Sequence, residues 1–180
     1  MNNNKKILIT GGPGSGKTSL INELEKRKYN CEKEIVRSLT IDGKQNGNDQ
    51  IFLKEPLNFS KKLLELRINQ FNKVHFKSLI FYDRGVHDTL AYLNFIKTKY
   101  DNDLIKKCKK IKYDIVFILP PWKEIYKQDE CRYETFEESV KIYKEIIKIY
   151  SFFKMNTIIV EKDSIENRIN KILSYIKKIF

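Results

Sequence analysis

At 180 residues, 41% of them hydrophobic and 32% charged, the chain is sized for one domain with a proper core, and no apolar run approaches the roughly 18 residues of a membrane span. Its net charge of +12 comes from 29 lysines against six arginines, beside 25 isoleucines and 15 asparagines; this is the bias of an AT-rich coding sequence, so the charge alone is no argument for a nucleic-acid partner. Three scattered cysteines (Cys31, Cys108, Cys131) form no Cys-x-x-Cys pair, which argues against a disulfide framework or a zinc site and for a reducing compartment, the cytoplasm.

Met1–Lys6 lacks the apolar core of a secretion signal, and a strand is expected at once, over about 6–10. Directly after it come Gly11-Gly12-Pro13-Gly14-Ser15-Gly16-Lys17-Thr18, which fill every fixed position of the phosphate-binding loop pattern Gly-x-x-x-x-Gly-Lys-Ser/Thr. Four of the chain's seven glycines fall in these eight residues, so the pattern is not a by-product of a glycine-rich composition. Glycines let the backbone curl so that successive N–H groups point inward at phosphate oxygens. The helix expected over 17–28, starting Lys17-Thr18-Ser19, adds its positive end. Lys17 is then placed for the β- and γ-phosphates and the Thr18 hydroxyl for Mg²⁺, so residues 11–19 are expected to bind a nucleoside triphosphate. No Asn-Lys-x-Asp guanine signature appears, which favours ATP over GTP.

A short strand near 31–35 follows, then Glu34 and Arg37. The pair reads either as an i, i+3 surface ion pair or as a proton-accepting carboxylate with an anion-gripping arginine. Residues 42–49 form the clearest loop, and a helix over 56–77 starts at Pro56 with Leu63, Leu64, Leu66, Ile68 and Phe71 on its apolar face. The buried strand 78–83 ends in Asp83, placed either to steady Mg²⁺ or to cap the next helix. Arg84 is expected in the same cleft, whereas His87 and Asp88 read as first-turn polar residues. Helices over 87–99 and 102–111 and a strand over 113–119 lead to Pro120-Pro121. The polar segment after them is lid-like: Arg132, its one arginine, is placed to reach a γ-phosphate or to pair with Asp129, and Trp122 to pack the lid's base. A helix over 136–153, a strand over 157–161 and a helix over 164–179 complete the chain. Strands alternating with helices imply a three-layer α/β sandwich with five parallel strands and a cleft at their carboxyl ends.

Phe81-Tyr82-Asp83-Arg84-Gly85-Val86-His87-Asp88-Thr89-Leu90-Ala91-Tyr92 resembles the Asp-Arg-Gly-x-x-Asp-x-x-Ala-Tyr signature of AAA-type P-loop ATPases related to the ribosylnicotinamide kinase domain of the bacterial NadR protein. Glu34-x-x-Arg37, Pro120-Pro121-Trp122 with Ile125-Tyr126, and Asp129-x-x-Arg132 before Thr135-Phe136-Glu137-Glu138 agree with it. The resemblance implies the nucleoside/nucleotide-kinase fold, strand order 2-3-1-4-5, over one unit 1–180 with a lid at about 121–136. It implies that Glu34 and Arg37 face an acceptor, that Asp83 and Arg84 face metal and phosphate, and that Arg132 is the lid arginine; from its place in the cleft Arg84 also suits an acceptor substrate. The chain is therefore expected to be an ATP- and Mg²⁺-dependent small-molecule kinase whose acceptor is a hydroxyl of a nucleoside-like or other small metabolite, with Lys17, Glu34, Asp83 and Arg132 catalytic. The competing expectation is a nucleotide-gated regulatory module with slow hydrolysis.

Overall fold

A parallel sheet of five strands, in the order β2-β3-β1-β4-β5, organises the computed structural model, which describes residues 4–36, 54–75, 78–126 and 134–180. The strands are β1 (Lys5–Gly11), β2 (Asn30–Glu32), β3 (Leu79–Asp83), β4 (Ile115–Leu119) and β5 (Thr157–Ile159). The described helices are α1 (Lys17–Lys26), α2 (Pro56–Asn72), α3 (Asp88–Phe95), α4 (Asn102–Lys109), α5 (Phe136–Phe152) and α6 (Ile165–Ile179), with one 3₁₀ turn at Lys123–Ile125.

The sheet is covered on both faces because its central strands are apolar on both. In β1 and β4, side chains alternate between two cores with the period of 2 that a pleated strand imposes. Leu8, Tyr82, Val116 and Ile118 face a core closed by Leu64 of α2, Leu90 of α3, Leu104 of α4 and Ile142 and Ile146 of α5. Ile7, Ile9, Phe81, Phe117 and Leu119 face the other, closed by Leu20 and Leu24 of α1 and Ile169 and Ile172 of α6. The sheet and the helical layer on each of its faces make the three layers.

Helix ends follow local chemistry. Asp101 caps α4 by accepting from the Asp103 and Leu104 amides. Thr135 and Glu138 form a reciprocal capping box at α5, and Ser164 caps α6 through the Asn167 amide. Strand β5 is short and largely exposed at the sheet edge, where it stops at Ile159 rather than at 161. Helix α2 ends at Asn72, five residues before the expected end.

The register sets the site. Ile9 pairs with Asp83 and Gly11 with Leu119, so the phosphate loop, the β3 carboxylate and the start of the 120–126 segment leave the same edge of the sheet. Among the described residues, no helix is long and apolar enough to cross a membrane.

A phosphate-loop cleft as candidate active site

The strand carboxyl ends open into a cleft of about 990 Å³. Its floor is the loop Pro13–Ser19, with Thr18 and Ser19 exposed to it and the loop's core buried. The loop is clamped from three sides. The Ser15 hydroxyl donates to the Gly12 carbonyl at 2.9 Å, and the Ser139 hydroxyl of α5 donates to the Pro13 carbonyl at 2.6 Å. On its outer side the Tyr126 ring lies so close to Gly14, whose φ is +69°, that no side chain fits there. The Tyr126 hydroxyl in turn donates to the Glu134 carbonyl, next to the Thr135 cap of α5.

The Lys17 ammonium is folded onto this loop, donating to the Gly11 carbonyl (3.0 Å), the Gly12 carbonyl (2.7 Å) and the Ser15 hydroxyl (3.2 Å). Burial, and then the neighbouring Arg84 cation, push it down to about 7 despite Asp83, Glu34 and Asp88 nearby. It is therefore a cation short of anionic partners, which suits it to phosphate.

Asp83 is 4% exposed at the end of β3, and its Oδ1 has no hydrogen-bond partner. Burial, then the Glu34 carboxylate, raise its carboxyl to about 6. The helix-capping alternative does not hold, because α3 starts at Asp88 after His87 with no side-chain cap. A buried carboxylate oxygen with nothing to accept from fits a divalent cation. Mg²⁺ commonly takes one or two protein oxygens and leaves its remaining positions to water and phosphate. Among the described residues, no group of three or more His, Cys, Asp or Glu is placed to hold a metal ion.

Arg84 adopts φ +68°, a left-handed conformation that non-glycine residues visit at a cost. That turn lets its amide donate to the Ile9 carbonyl (3.1 Å) and its guanidinium reach the Gly11 carbonyl (3.3 Å) and pair with Glu34. Burial works against this guanidinium's charge, but Glu34, Asp88 and Asp83 outweigh it and hold the group above its ordinary range. Both members of the pair are largely buried. Glu34 lines the cleft and is paired there with Arg84. Arg37, Asp129 and Arg132 lie outside the described residues.

Two arginines that sequence reasoning passed over line the cleft as well. Arg67 of α2, 4% exposed, donates to the Thr89 hydroxyl at 3.1 Å beside Phe59, Leu63 and Tyr92. Arg168 of α6 reaches under the phosphate loop from the opposite end. The available signal was their rarity: three of the four described arginines line the cleft, against Lys17 alone among the described lysines. Asp88 was also undervalued as a first-turn residue. It accepts from the Thr10 hydroxyl (2.8 Å), the Gly85 amide (3.1 Å) and the Tyr150 hydroxyl (2.9 Å), tying the β1 end, the Arg84 turn and α5 together. Asp88→Ala should cost about 2–4 kcal/mol by stranding these buried donors, measured as a lower urea midpoint; a change under about 0.5 kcal/mol would show that the network is dispensable. His87 is packed between Tyr113, Tyr150 and Phe153, and burial lowers it to about 4, so it serves as a neutral core group.

Residues 6–168 match the family model of an AAA domain. The chain belongs to that family. Among solved structures, the deoxyadenosine kinase of M. mycoides with its products dCMP and a flexible dCDP bound matches 97% of this chain and 100% of its own, with a TM-score of 0.72 and 18% identity. The thymidylate kinase of Candida albicans matches 98% of this chain and 92% of its own (TM-score 0.68, 17% identity). That of Ehrlichia chaffeensis matches 96% and 98% (TM-score 0.67, 16% identity). Comparison with curated protein sequences gives no match. The AAA-domain chain thus has the fold of the P-loop nucleoside and nucleotide kinases, with the strand order that the sequence resemblance implied.

Proposed function

We propose that this chain is a small-molecule kinase: Mg²⁺·ATP donates its γ-phosphate to a hydroxyl of a nucleoside-like metabolite, leaving ADP. The observation that carries the reading is the buried Glu34–Arg84 pair in a cleft that the phosphate loop shares with Phe59, Leu63, Arg67, Thr89 and Tyr92. A nucleotide switch needs no room beyond its nucleotide, whereas a transferase needs a place for its acceptor.

In this reading, Lys17 and the loop amides hold the β- and γ-phosphates, and Mg²⁺ bound at Thr18 and Asp83 would neutralise their charge. Glu34 accepts the proton of the acceptor hydroxyl as its oxygen bonds to the γ-phosphorus and the bond to the bridging oxygen breaks. Arg84 orients Glu34 and meets charge that grows on the transferring group. Catalysis of this kind is alignment and neutralisation in a dry site rather than covalent chemistry by the protein. The whole chain, 1–180, acts as one unit, with about 121–136 as the lid and Arg37 as a further contact to the acceptor. The nucleoside kinases sharing the fold bind nucleotides such as dATP, which supports the choice of ligand class.

The test is a thermal-shift screen of nucleosides and vitamins with a non-hydrolysable ATP analogue present, followed by ADP release with each hit. Acceptor-dependent ADP release is the expected result. Binding of ATP with no acceptor-dependent turnover across the screen would favour the nucleotide-gated module instead. The lid adds a second expectation: Arg132→Ala should lower kcat more than it weakens ATP affinity, because that contact strengthens as charge develops. Equal changes in both, or none, would make Arg132 a surface charge. DNA and RNA should leave ATP turnover unchanged at physiological ionic strength, since among the described lysines Lys17 alone lines the cleft. Stimulation by either polymer would favour a nucleic-acid-associated ATPase instead.

A further inference from the structure

Away from the cleft, a second cavity of about 370 Å³ opens where α4 and α5 end. It shares no lining residue with the cleft. Ile111, Phe152, Phe153 and Met155 form its apolar wall, and Lys109, Lys112 and Lys154 supply the rest of its lining. That size, and an aromatic and aliphatic wall with a few charged groups, are those of a small-molecule site.

The charge of this lining has one sign. No carboxylate lines the cavity, and among the described residues none of its lysines forms an ion pair. Earlier in α4 the pattern differs, because Lys106 pairs with Asp103 and Lys107 with Glu65. A coding bias toward lysine explains a lysine-rich surface, but not their gathering on an apolar cavity from which acids are missing. Like charges that line one cavity repel, and an anion between them relieves the repulsion. Lysine is suited to this role, since it holds phosphate as a compact point charge.

The wall asks for a planar body on that anion. Phe152 is 61% exposed, and its ring meets Phe153 edge to face, with centroids 5.0 Å apart at 89°. Phe153 is in turn packed on His87, with 4.5 Å between ring centres. One ring is therefore anchored in the core while the other, held against it, is offered to solvent, where a flat partner would cover it. Lys154 has φ +52°, at a helix end where glycine is the usual residue, so its charged side chain is kept at a conformational cost.

We propose that this cavity is a second small-molecule site, which takes a phosphate ester with a planar aromatic body, the chemistry and size of a mononucleotide. Lys109, Lys112 and Lys154 hold the phosphate, and Phe152 stacks on the ring above Ile111 and Met155. The site is independent of the kinase reading of the cleft, and failure of either leaves the other standing.

Met155 is one of two methionines in the chain, so NMR of ¹³C-labelled methionine methyls reads this cavity directly; its signal is assigned by its loss in Met155→Leu. Full-length protein is first saturated with Mg²⁺ and the non-hydrolysable ATP analogue, which fills the phosphate loop, and then titrated with AMP, adenosine and inorganic phosphate. AMP should shift the Met155 signal saturably and bind about tenfold tighter or more than adenosine or phosphate alone. Lys154→Gly removes one ammonium and suits the positive φ, so it should weaken AMP about fivefold or more with the melting temperature unchanged or raised. Phe152→Ala, at an exposed position, should weaken AMP by a similar factor. A Met155 signal that AMP leaves in place would overturn the proposal. So would equal affinity for inorganic phosphate, which would make the lysines a diffuse counter-ion surface, or wild-type AMP affinity in Lys154→Gly and Phe152→Ala.

Discussion

Lys17→Ala should abolish measurable Mg²⁺·ATP binding while leaving the cooperative unfolding transition in place. The ammonium is 5% exposed, donates only to its own loop and lies beside Arg84. Removing it therefore takes away a poorly compensated cation rather than a packed hydrophobe, and stability should change little or even rise. Binding should suffer far more, because triphosphate oxygens would then face loop amides and Arg84 with no ammonium. A charge-assisted phosphate contact of this kind in a buried site is worth about 3 kcal/mol or more, over a hundredfold in affinity. Calorimetry against the melting temperature of the same samples separates the two effects. Wild-type affinity in a folded Lys17→Ala protein would show that the cleft does not hold a triphosphate at its glycine loop.

What the sequence disclosed about this cleft follows from how local the signals are. The glycine loop is eight contiguous residues whose chemistry needs no tertiary partner to recognise, and it is in place as read. The strands were equally legible because β1, β3 and β4 are short apolar runs bounded by breaks, which only a sheet covered on both faces accommodates. Their order was not legible from periodicity, since parallel strands joined by helices can be arranged in several ways; it came from the Asp83–Tyr92 signature. Arg67 and Arg168 were not legible at all. Each occupies a polar-looking place in an amphipathic helix, and only folding shows that it turns toward the cleft rather than water. Asp88 is the first-turn acid that was expected, but its network was missed for a related reason: an acid there already satisfies the helix dipole, so nothing local signals Thr10 and Tyr150, 78 and 62 residues away.

The cleft's charge also corrects a global impression. A chain of net charge +12 has, around its main cavity, Lys17, Arg67, Arg84 and Arg168 set against Glu34, Asp88, Glu134, Glu138 and Asp163. This near balance means that the site is not a generic anion trap. Its cations are individually placed: Lys17 in the loop, Arg84 on Glu34, Arg67 on Thr89 and Arg168 under Ser15. Burial also raises the Glu134 carboxyl above its ordinary range, with Arg84 acting the other way. Discrimination in such a site comes from geometry more than from total charge.

Glu34→Gln should then separate transfer from binding. The substitution preserves size and one oxygen acceptor but cannot take up the hydroxyl proton, so acceptor-dependent kcat should fall by about 10²–10⁴, the usual worth of a general base. Affinity for Mg²⁺·ATP should stay within about threefold, because the phosphates are held by Lys17 and the loop amides. The neutral amide leaves the Arg84 guanidinium without its strongest partner, so the variant should also melt at a lower temperature. The comparison variant is Arg84→Lys, which keeps a charge beside Glu34 but loses the guanidinium fork that also reaches the Gly11 carbonyl. It should lower kcat by a smaller factor than Glu34→Gln, because the base remains and only its orientation relaxes. Steady-state kinetics with the acceptor found in the thermal-shift screen, beside ATP affinity, give both numbers. A Glu34→Gln protein that transfers phosphate at the wild-type rate would show that the carboxylate only anchors Arg84, and the proton would have to leave by another route, directly to water or to the phosphate itself.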